Sequence, residues 1–286
     1  MSQLTRRQAV AGTAALVGTA LANTSSATPL AASAPGRLKQ SVCRWCYAKI
    51  PLPELCKAVA GMGLAAMDLL TETEWPVARE NGLICSMGSG FGGTIADGLN
   101  VKANHDKIVA GLERGIPLAA ANKVPNLITF FGNRRGMPDD EAHANCVIGL
   151  NRIKKVAEDH GVTICVELLN SKVDHKDYQG DHSAFGVAVV KEVASPRVKL
   201  LYDIYHMQIM EGDVIRTIRD NHQYFGHYHT GGVPGRHELD ETQEIQWRSV
   251  ATAIADLNFD GYFAHEFVPT RDPLTSLGEA VKLCTV

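Results

Sequence analysis

From residue 38 onward, eight short apolar segments alternate with longer segments of helical periodicity, and this alternation constrains the fold more than any other feature. The strand candidates are 40–45, 64–70, 83–88, 125–132, 162–169, 198–204, 224–229 and 261–267. Their nearly continuous apolar character is typical of parallel strands that are covered on both faces. Eight such strands between residues 37 and 286 favour an α/β fold, a closed (β/α)₈ TIM barrel in a single domain.

An open, doubly wound sheet is the alternative, and it would be expected to show a glycine-rich dinucleotide turn early in the chain. The nearest match is Gly88–Gly93, which has the wrong spacing. We interpret this segment as a flexible rim of an active site or as a long surface turn. Because no linker or run of charge divides the chain after residue 38, one domain is expected.

The first 36 residues differ from the rest of the chain. Arg6 and Arg7 precede an apolar stretch of about 14 residues, which is followed by sequence rich in Ser, Thr, Ala and Pro. This pattern predicts a signal peptide of the twin-arginine type with a disordered linker, and therefore export to the periplasm. The alternative is a disordered tail that is not cleaved. The apolar stretch is too short for a comfortable membrane span.

Composition excludes several classes of partner. The formal net charge of −3 and the pI near 6.4 give no basic footprint for nucleic acid and no polybasic membrane patch, so a small neutral or anionic metabolite is expected. A homo-oligomer is compatible with the sequence. The seven cysteines are odd in number and scattered, which is unlike a disulfide framework. Cys43 and Cys46 form a C-x-x-C pair, which we interpret as buried thiols rather than a redox pair.

Four potential metal ligands stand at the ends of the last four predicted strands. They are Glu167, Asp203, His229 and Glu266. In a TIM barrel the carboxyl ends of the strands meet at the active-site face, so these side chains should converge. Three carboxylates and one imidazole suit one hard or borderline divalent ion, with Mn²⁺ or Mg²⁺ favoured and Co²⁺ or Zn²⁺ compatible. Clustered buried carboxylates also need a cation to offset their repulsion.

The strings VELLNSKVDH, YDIYHMQIMEGD, GGVPGRHEL and HEF resemble those of the hydroxypyruvate isomerase branch of the xylose isomerase-like barrel superfamily. The resemblance covers nearly all of the chain after the predicted signal and is most specific in residues 162–267. It implies that Glu167, Asp203, His229 and Glu266 hold one divalent ion. Hydroxypyruvate isomerases commonly carry glutamine at the position of His229, whereas the ketose 3-epimerase relatives carry histidine there.

The resemblance implies that Glu167 and Glu266 are the catalytic acid–base pair. A carboxylate removes a proton beside the substrate carbonyl, and the other returns it to the neighbouring carbon for isomerisation or to the same carbon for epimerisation. Arg236 is suited to bind a substrate carboxylate bidentately. The complete set of substrate-binding candidates is His206, Arg236, Asn170 and Trp45. His227 has the parity of His229 and is expected one layer deeper, whereas His265 should face away.

Three functions are compatible with these residues. The first is a metal-dependent isomerase that interconverts hydroxypyruvate and tartronate semialdehyde through an enediolate. The second is a 3-epimerase of ketoses or keto-sugars, which the histidine at 229 and the export signal favour. The third is a noncatalytic sugar-binding barrel, against which the complete ligand set argues. A DNA-repair nuclease would need further His and Asp ligands and a basic surface, neither of which is evident.

Overall fold

A computed structural model of the chain describes residues 36–286, which form a closed barrel of eight parallel strands in sequential order. This architecture confirms the predicted TIM barrel. The predicted signal peptide and linker lie outside the described residues except for Gly36, so the export route stays a prediction. The strands are β1 (Lys39–Cys43), β2 (Ala66–Leu70), β3 (Ile84–Gly92), β4 (Asn126–Phe130), β5 (Thr163–Leu168), β6 (Val198–Asp203), β7 (Phe225–Thr230) and β8 (Tyr262–His265).

Helices cover the outside of the barrel. They are α1 (Leu52–Gly61), α2 (Trp75–Glu80), α3 (His105–Ala121), α4 (Asp139–His160), α5 (Ser183–Val193), α6 (Ile204–Met210), α7 (Val214–Asn221), α8 (Trp247–Asp256) and α9 (Pro273–Cys284). Local sequence sets their ends: α4 stops at Gly161 in the left-handed conformation, and the Asp272 side chain accepts a hydrogen bond from Thr275 N at the start of α9. None of the helices in residues 36–286 combines the length and the hydropathy that a membrane-spanning helix requires.

Strand alternation divides the buried side chains into two layers. One parity faces the helices and joins the main apolar core, as Val166, Leu200 and Tyr228 do. The other parity faces the barrel axis, where Met87, Ile128, Cys165 and Leu201 form a small separate apolar cluster. Two residues further along β5 and β6, the inward-facing positions are occupied by the acidic residues Glu167 and Asp203. The barrel axis is therefore apolar in this layer and polar toward the carboxyl ends of its strands.

The structure corrects two boundaries of the sequence analysis. Trp45 does not end β1, because it lies in a 3₁₀ turn of residues 45–47 that follows the strand. The segment Gly88–Gly93 is not a loop, because β3 continues through it to Gly92, with irregular pairing to β4. A Cβ at Gly92 would lie 2.2 Å from the carbonyl oxygen of Ile128, so only glycine permits this close approach of the two strands.

Candidate active site

The four predicted ligands converge at the carboxyl end of the barrel. Glu167 and Asp203 lie at the ends of β5 and β6, His229 lies in β7, and Glu266 follows the last residue of β8. Strand register sets Asp203 directly beside His229. One ligand atom from each of the four side chains lies within 4.8 Å of the others, and all four residues are buried. The barrel therefore brings together residues that are far apart in the sequence.

The Nδ1 atom of His229 points at the three carboxylates. It lies 2.6 Å from Oε2 of Glu266, 3.5 Å from Oε1 of Glu167 and 3.9 Å from Oδ2 of Asp203. Despite this proximity, no group in residues 36–286 makes a well-formed hydrogen bond with Nδ1. A buried ring nitrogen that faces three carboxylates without such a bond is placed as a metal ligand would be.

Charge balance in the site also fits a divalent ion. Among residues 36–286, Arg236 is the one arginine or lysine that forms ion pairs with the three carboxylates, and it pairs with Asp203 and Glu266 but not with Glu167. Burial alone would lower the pKa of His229, but Glu266, together with Cys43 and Asp68, raises it well above its ordinary value, so the imidazole can supply positive charge. A divalent ion would supply that charge instead, with His229 as a neutral ligand.

The three carboxyl groups differ in their surroundings. Burial raises the pKa of Glu167, and the nearby His229 opposes this only in part. Burial raises the pKa of Asp203 to about 7, although Arg236 favours the ionised form. Burial also disfavours the ionised form of Glu266, but Arg236 and His229 outweigh it and hold the pKa of Glu266 well below its usual range. Glu266 is thus the most firmly ionised of the three.

Arg236 reaches into the carboxylate cluster from the loop after β7. Its Nη2 donates to Oδ2 of Asp203 at 2.9 Å and to Oε2 of Glu266, and its Nη1 lies 2.9 Å from Nε2 of His206. The guanidinium also packs over the rings of Trp45 and Tyr205, with centroid distances of 5.5 and 5.0 Å. The arginine is therefore held both by charge and by aromatic packing.

A buried carboxylate fastens the loop that carries Arg236. Glu238 accepts hydrogen bonds from the backbone N–H of Thr270 and Arg271 and from the hydroxyl of Ser276. Burial opposes ionisation, but hydrogen bonds from its own backbone N–H, from Thr270 and from Ser276 lower the pKa of Glu238 to about 2. The loop after β7 is thereby tied to the start of α9, which limits how far Arg236 can move.

Trp45 and His206 each contact one carboxylate of the cluster. Trp45 is 45% exposed, and its indole N–H donates to Oε1 of Glu266, so it lies at the open edge of the site. His206 is fully buried, with Nε2 3.5 Å from Oδ2 of Asp203. Burial and the neighbouring Arg236 hold the pKa of His206 well below its usual value, so the ring is neutral. Their roles in substrate binding stay predictions.

Asn170 organises its own loop through hydrogen bonds of its side-chain amide. Its Oδ1 accepts from the backbone N–H of Val173 and Asp174, and its Nδ2 donates to Asp174 and faces Nδ1 of His206. The side chain is fully buried. Asn170 therefore supports His206 from behind, and direct contact with a substrate stays a prediction.

Asp68, a fully buried carboxylate in β2, was not among the residues expected in the site. Its Oδ1 lies 3.1 Å from Nε2 of His229, and its Oδ2 lies 3.0 Å from Nε2 of His227. His227 is thus in the deeper layer, as its parity predicts. Burial alone would raise the pKa of Asp68, but His227 and His229 hold it well below its usual range. A charged residue inside the apolar string LAAMDLL was the available signal.

A pocket of about 430 Å³ opens above the carboxylate cluster. One part of its wall is polar and includes Glu167, His175, Arg236 and Glu266. The rest is mainly apolar and is formed by Trp45, Leu69, Ile95, Ile128, Phe130 and Leu169, together with residues of the glycine-containing end of β3. The remaining predicted residue, His265, faces away between strand and helix, where it contacts Gln40 and Thr230.

Comparison with known proteins gives a family match over most of the chain. The model of the xylose isomerase-like TIM barrel family matches residues 67–284. A 2-oxo-tetronate isomerase of Pectobacterium atrosepticum is 26% identical over 247 residues, which cover 82% of this chain and 93% of that protein. A Xenopus laevis protein named as a candidate hydroxypyruvate isomerase is 23% identical over 82% of this chain and 91% of its own.

Two further similarities concern part of the sequence and the fold. A D-psicose 3-epimerase of Agrobacterium fabrum is 36% identical over 149 residues, covering 49% of this chain and 47% of that protein. A solved structure from Brucella melitensis, described as an AP endonuclease of family 2, superimposes with a TM-score of 0.74. It is 20% identical in sequence and covers 84% of this chain and 97% of its own, which shows a shared fold.

Proposed function

This chain belongs to the xylose isomerase-like TIM barrel family, and we propose that it is a metal-dependent isomerase that converts hydroxypyruvate to tartronate semialdehyde. Its relatives place it among the sugar isomerases and epimerases. What we propose is the substrate and the reaction subclass. The observation that carries the proposal is the buried convergence of Glu167, Asp203, His229 and Glu266 at the active-site end of the barrel.

A divalent ion bound by these four side chains, with Mn²⁺ or Mg²⁺ favoured, would polarise the substrate carbonyl and stabilise the charge of an enediolate. The protein itself must move a proton between two adjacent carbons. Glu167 and Glu266 project from β5 and from the end of β8, so they approach a bound substrate from different sides. Glu167 removes the proton from the hydroxyl-bearing carbon beside the carbonyl, and the ionised Glu266 takes up the proton of that hydroxyl. Glu266 then returns its proton to the former carbonyl carbon on the other side, and Glu167 gives its proton to the former carbonyl oxygen, so both carboxylates end ionised.

The surroundings of the two glutamates support this division. Trp45 and Arg236 donate to the two oxygens of Glu266, which fixes its carboxylate in place. The contact of Glu167 with Nδ1 of His229 is longer, at 3.5 Å, so this carboxylate has more freedom to approach a substrate carbon. Asp203 is held by Arg236 and accepts from the backbone N–H of His206, which suits an anchoring role.

Arg236 is the group that would recognise a substrate carboxylate. Replacing it by alanine is expected to raise KM for hydroxypyruvate by about 10- to 100-fold, because hydrogen bonds to a charged group contribute about 1.5–3 kcal/mol. Steady-state kinetics on hydroxypyruvate and on neutral ketoses measure the effect. Arg216→Ala is the matched control, since that arginine is exposed on α7.

Arg236 also pairs with Asp203 and Glu266, so the variant must be compared at saturating Mn²⁺. Under that condition the loss should be confined to substrates that carry a carboxylate. An equal loss of kcat/KM on neutral ketoses would show that Arg236 acts on the cluster rather than on the substrate.

A ketose 3-epimerase is the second candidate, and two observations favour it. His229 is the residue that the sequence resemblance associates with 3-epimerases, and the site presents it intact. The pocket of about 430 Å³ is also much larger than a three-carbon acid, and its apolar wall can accommodate a longer chain. The chemistry would be the same except that a proton is returned to the carbon that lost one, on its opposite face.

Product analysis distinguishes the candidates. The purified protein, loaded with Mn²⁺, is incubated with hydroxypyruvate and with a panel of free ketoses, and the products are identified by proton NMR. Tartronate semialdehyde from hydroxypyruvate is the expected result. Epimerised ketose without tartronate semialdehyde would replace the leading reaction by the second. If none of the substrates is converted in a metal-dependent reaction, both candidate reactions are contradicted and the noncatalytic sugar-binding barrel remains.

A further inference from the structure

We propose that Asp68 is a positioning residue that holds His229 as the tautomer protonated on Nε2 and thereby presents Nδ1 to the divalent ion. This inference rests on the metal site of the proposed function but not on the identity of the substrate. Asp68 lies in β2, whereas the four ligands come from β5, β6, β7 and the end of β8. It therefore acts through His229 rather than by touching the ion or the substrate.

The carboxylate of Asp68 is surrounded by potential donors on both oxygens. Oδ1 lies 3.1 Å from Nε2 of His229 and accepts from Sγ of Cys43 at 3.6 Å. Oδ2 lies 3.0 Å from Nε2 of His227 and accepts from the hydroxyl of Ser86. These partners come from β1, β3 and β7, and all are buried. The position of the carboxylate is therefore fixed by three strands besides its own.

An ionised carboxylate can only accept hydrogen bonds, and this fixes the proton on its partner. Because Oδ1 of Asp68 faces Nε2 of His229, that nitrogen must carry the proton. A neutral imidazole has one protonated nitrogen, so the lone pair of His229 is then on Nδ1. Nδ1 is the atom that faces Glu167, Asp203 and Glu266. The orientation and the tautomer of the ligand are set together.

Burial of the Asp68 carboxylate costs free energy, so its presence in the barrel interior calls for a functional reason. Asp68 has no exposed surface, and a carboxylate removed from water destabilises the fold unless its partners compensate. An apolar residue in this strand would join the cluster of Met87, Ile128, Cys165 and Leu201 without that cost. The carboxylate in this layer stands directly behind the one nitrogen ligand of the site. A role in setting the orientation and the tautomer of His229 accounts for this placement.

The test is the affinity for Mn²⁺ itself, measured by calorimetric titration of the metal-free protein, in wild type and in Asp68→Asn. Asparagine keeps the shape of the side chain but can turn its NH₂ group toward Nε2, which favours the wrong tautomer of His229. Loss of such a supporting carboxylate typically weakens metal binding by about 10- to 100-fold, and that loss is expected here. Weaker metal binding should also lower the turnover of Asp68→Asn, and excess Mn²⁺ should restore part of it.

Two controls separate positioning from stability. Asp181→Asn makes the same change at a buried carboxylate that pairs with Arg134, and it should leave Mn²⁺ affinity unchanged. If Asp68→Asn fails to fold, ¹⁵N NMR of the wild-type imidazoles, with the protein loaded with diamagnetic Zn²⁺, reports the tautomer directly. The proposal requires His229 to be protonated on Nε2 and unprotonated on Nδ1.

The outcomes are distinct. Folded Asp68→Asn protein that binds Mn²⁺ within twofold of wild type would overturn the proposal, as would a His229 that is protonated on Nδ1 in the loaded wild type. Wild type that binds no divalent ion would overturn both this proposal and the metal site. Wild type that binds Mn²⁺ through the Asp68-dependent site but converts no hydroxycarbonyl substrate would sustain this proposal and contradict the proposed function.

Discussion

Glu167→Gln is expected to lower kcat by about 100- to 10,000-fold, the range that a positioned general base contributes, without unfolding the protein. Glutamine has the size of glutamate and retains an oxygen that can face a metal ion, but it cannot accept the substrate proton. Glu167 is buried beside His229 at the carboxyl end of β5, so a change of charge rather than of volume is being made. Steady-state kinetics at saturating Mn²⁺ and a thermal melt measure the two effects.

Glu266→Gln should produce a comparable loss, because the mechanism needs a group on each side of the substrate. Glu241→Gln is the matched control: this carboxylate is exposed on the loop between β7 and α8, and its change should leave kcat unaltered. Near-normal turnover in either Glu167→Gln or Glu266→Gln would contradict the assignment of that residue to proton transfer.

Removal of divalent ions is the second change with a large expected effect. Protein stripped with a chelator should lose its turnover entirely and regain it with Mn²⁺ or Mg²⁺. The ion should also stabilise the fold, since it offsets repulsion among Glu167, Asp203 and Glu266. At a concentration of 100 times Kd the stabilisation is about 2.7 kcal/mol. For a protein of this size that corresponds to a rise in Tm of roughly 5–10 °C.

Asp203→Ala provides the control for that measurement. It removes one ligand of the set, so added Mn²⁺ should raise its Tm much less than that of wild type. Full turnover in protein that elemental analysis shows to be free of divalent metal would contradict the metal-dependent mechanism.

The barrel and the convergence of the four side chains at its carboxyl end could be predicted because both depend on a pattern that is local and repeated. Each strand segment is apolar and each is followed by a helix, and the ligands occupy equivalent positions in consecutive units. The parity that directs Asp203 and His229 inward is likewise a property of the strand itself. The placement of His227 below His229 and of His265 on the outer side follows from the same rule.

Contacts between distant strands could not be predicted in this way. Asp68 is recognisable in the sequence as a charged residue in an apolar strand. Its partner His229 is on β7, however, and only closure of the barrel brings the two residues together. The ion pairs of Arg236 with Asp203 and Glu266 also depend on the path of a loop. Trp45 was placed in a strand because its segment is apolar, whereas the chain turns away after Cys43.

The most direct measurement is the rate at which solvent deuterium replaces the carbon-bound hydrogen beside the substrate carbonyl, followed by proton NMR in D₂O. The central claim is that a pair of glutamates moves this proton at a metal-loaded site. We expect exchange that requires Mn²⁺ in the wild type and is abolished in Glu167→Gln. Exchange at the same rate in stripped protein or in Glu167→Gln would contradict the claim.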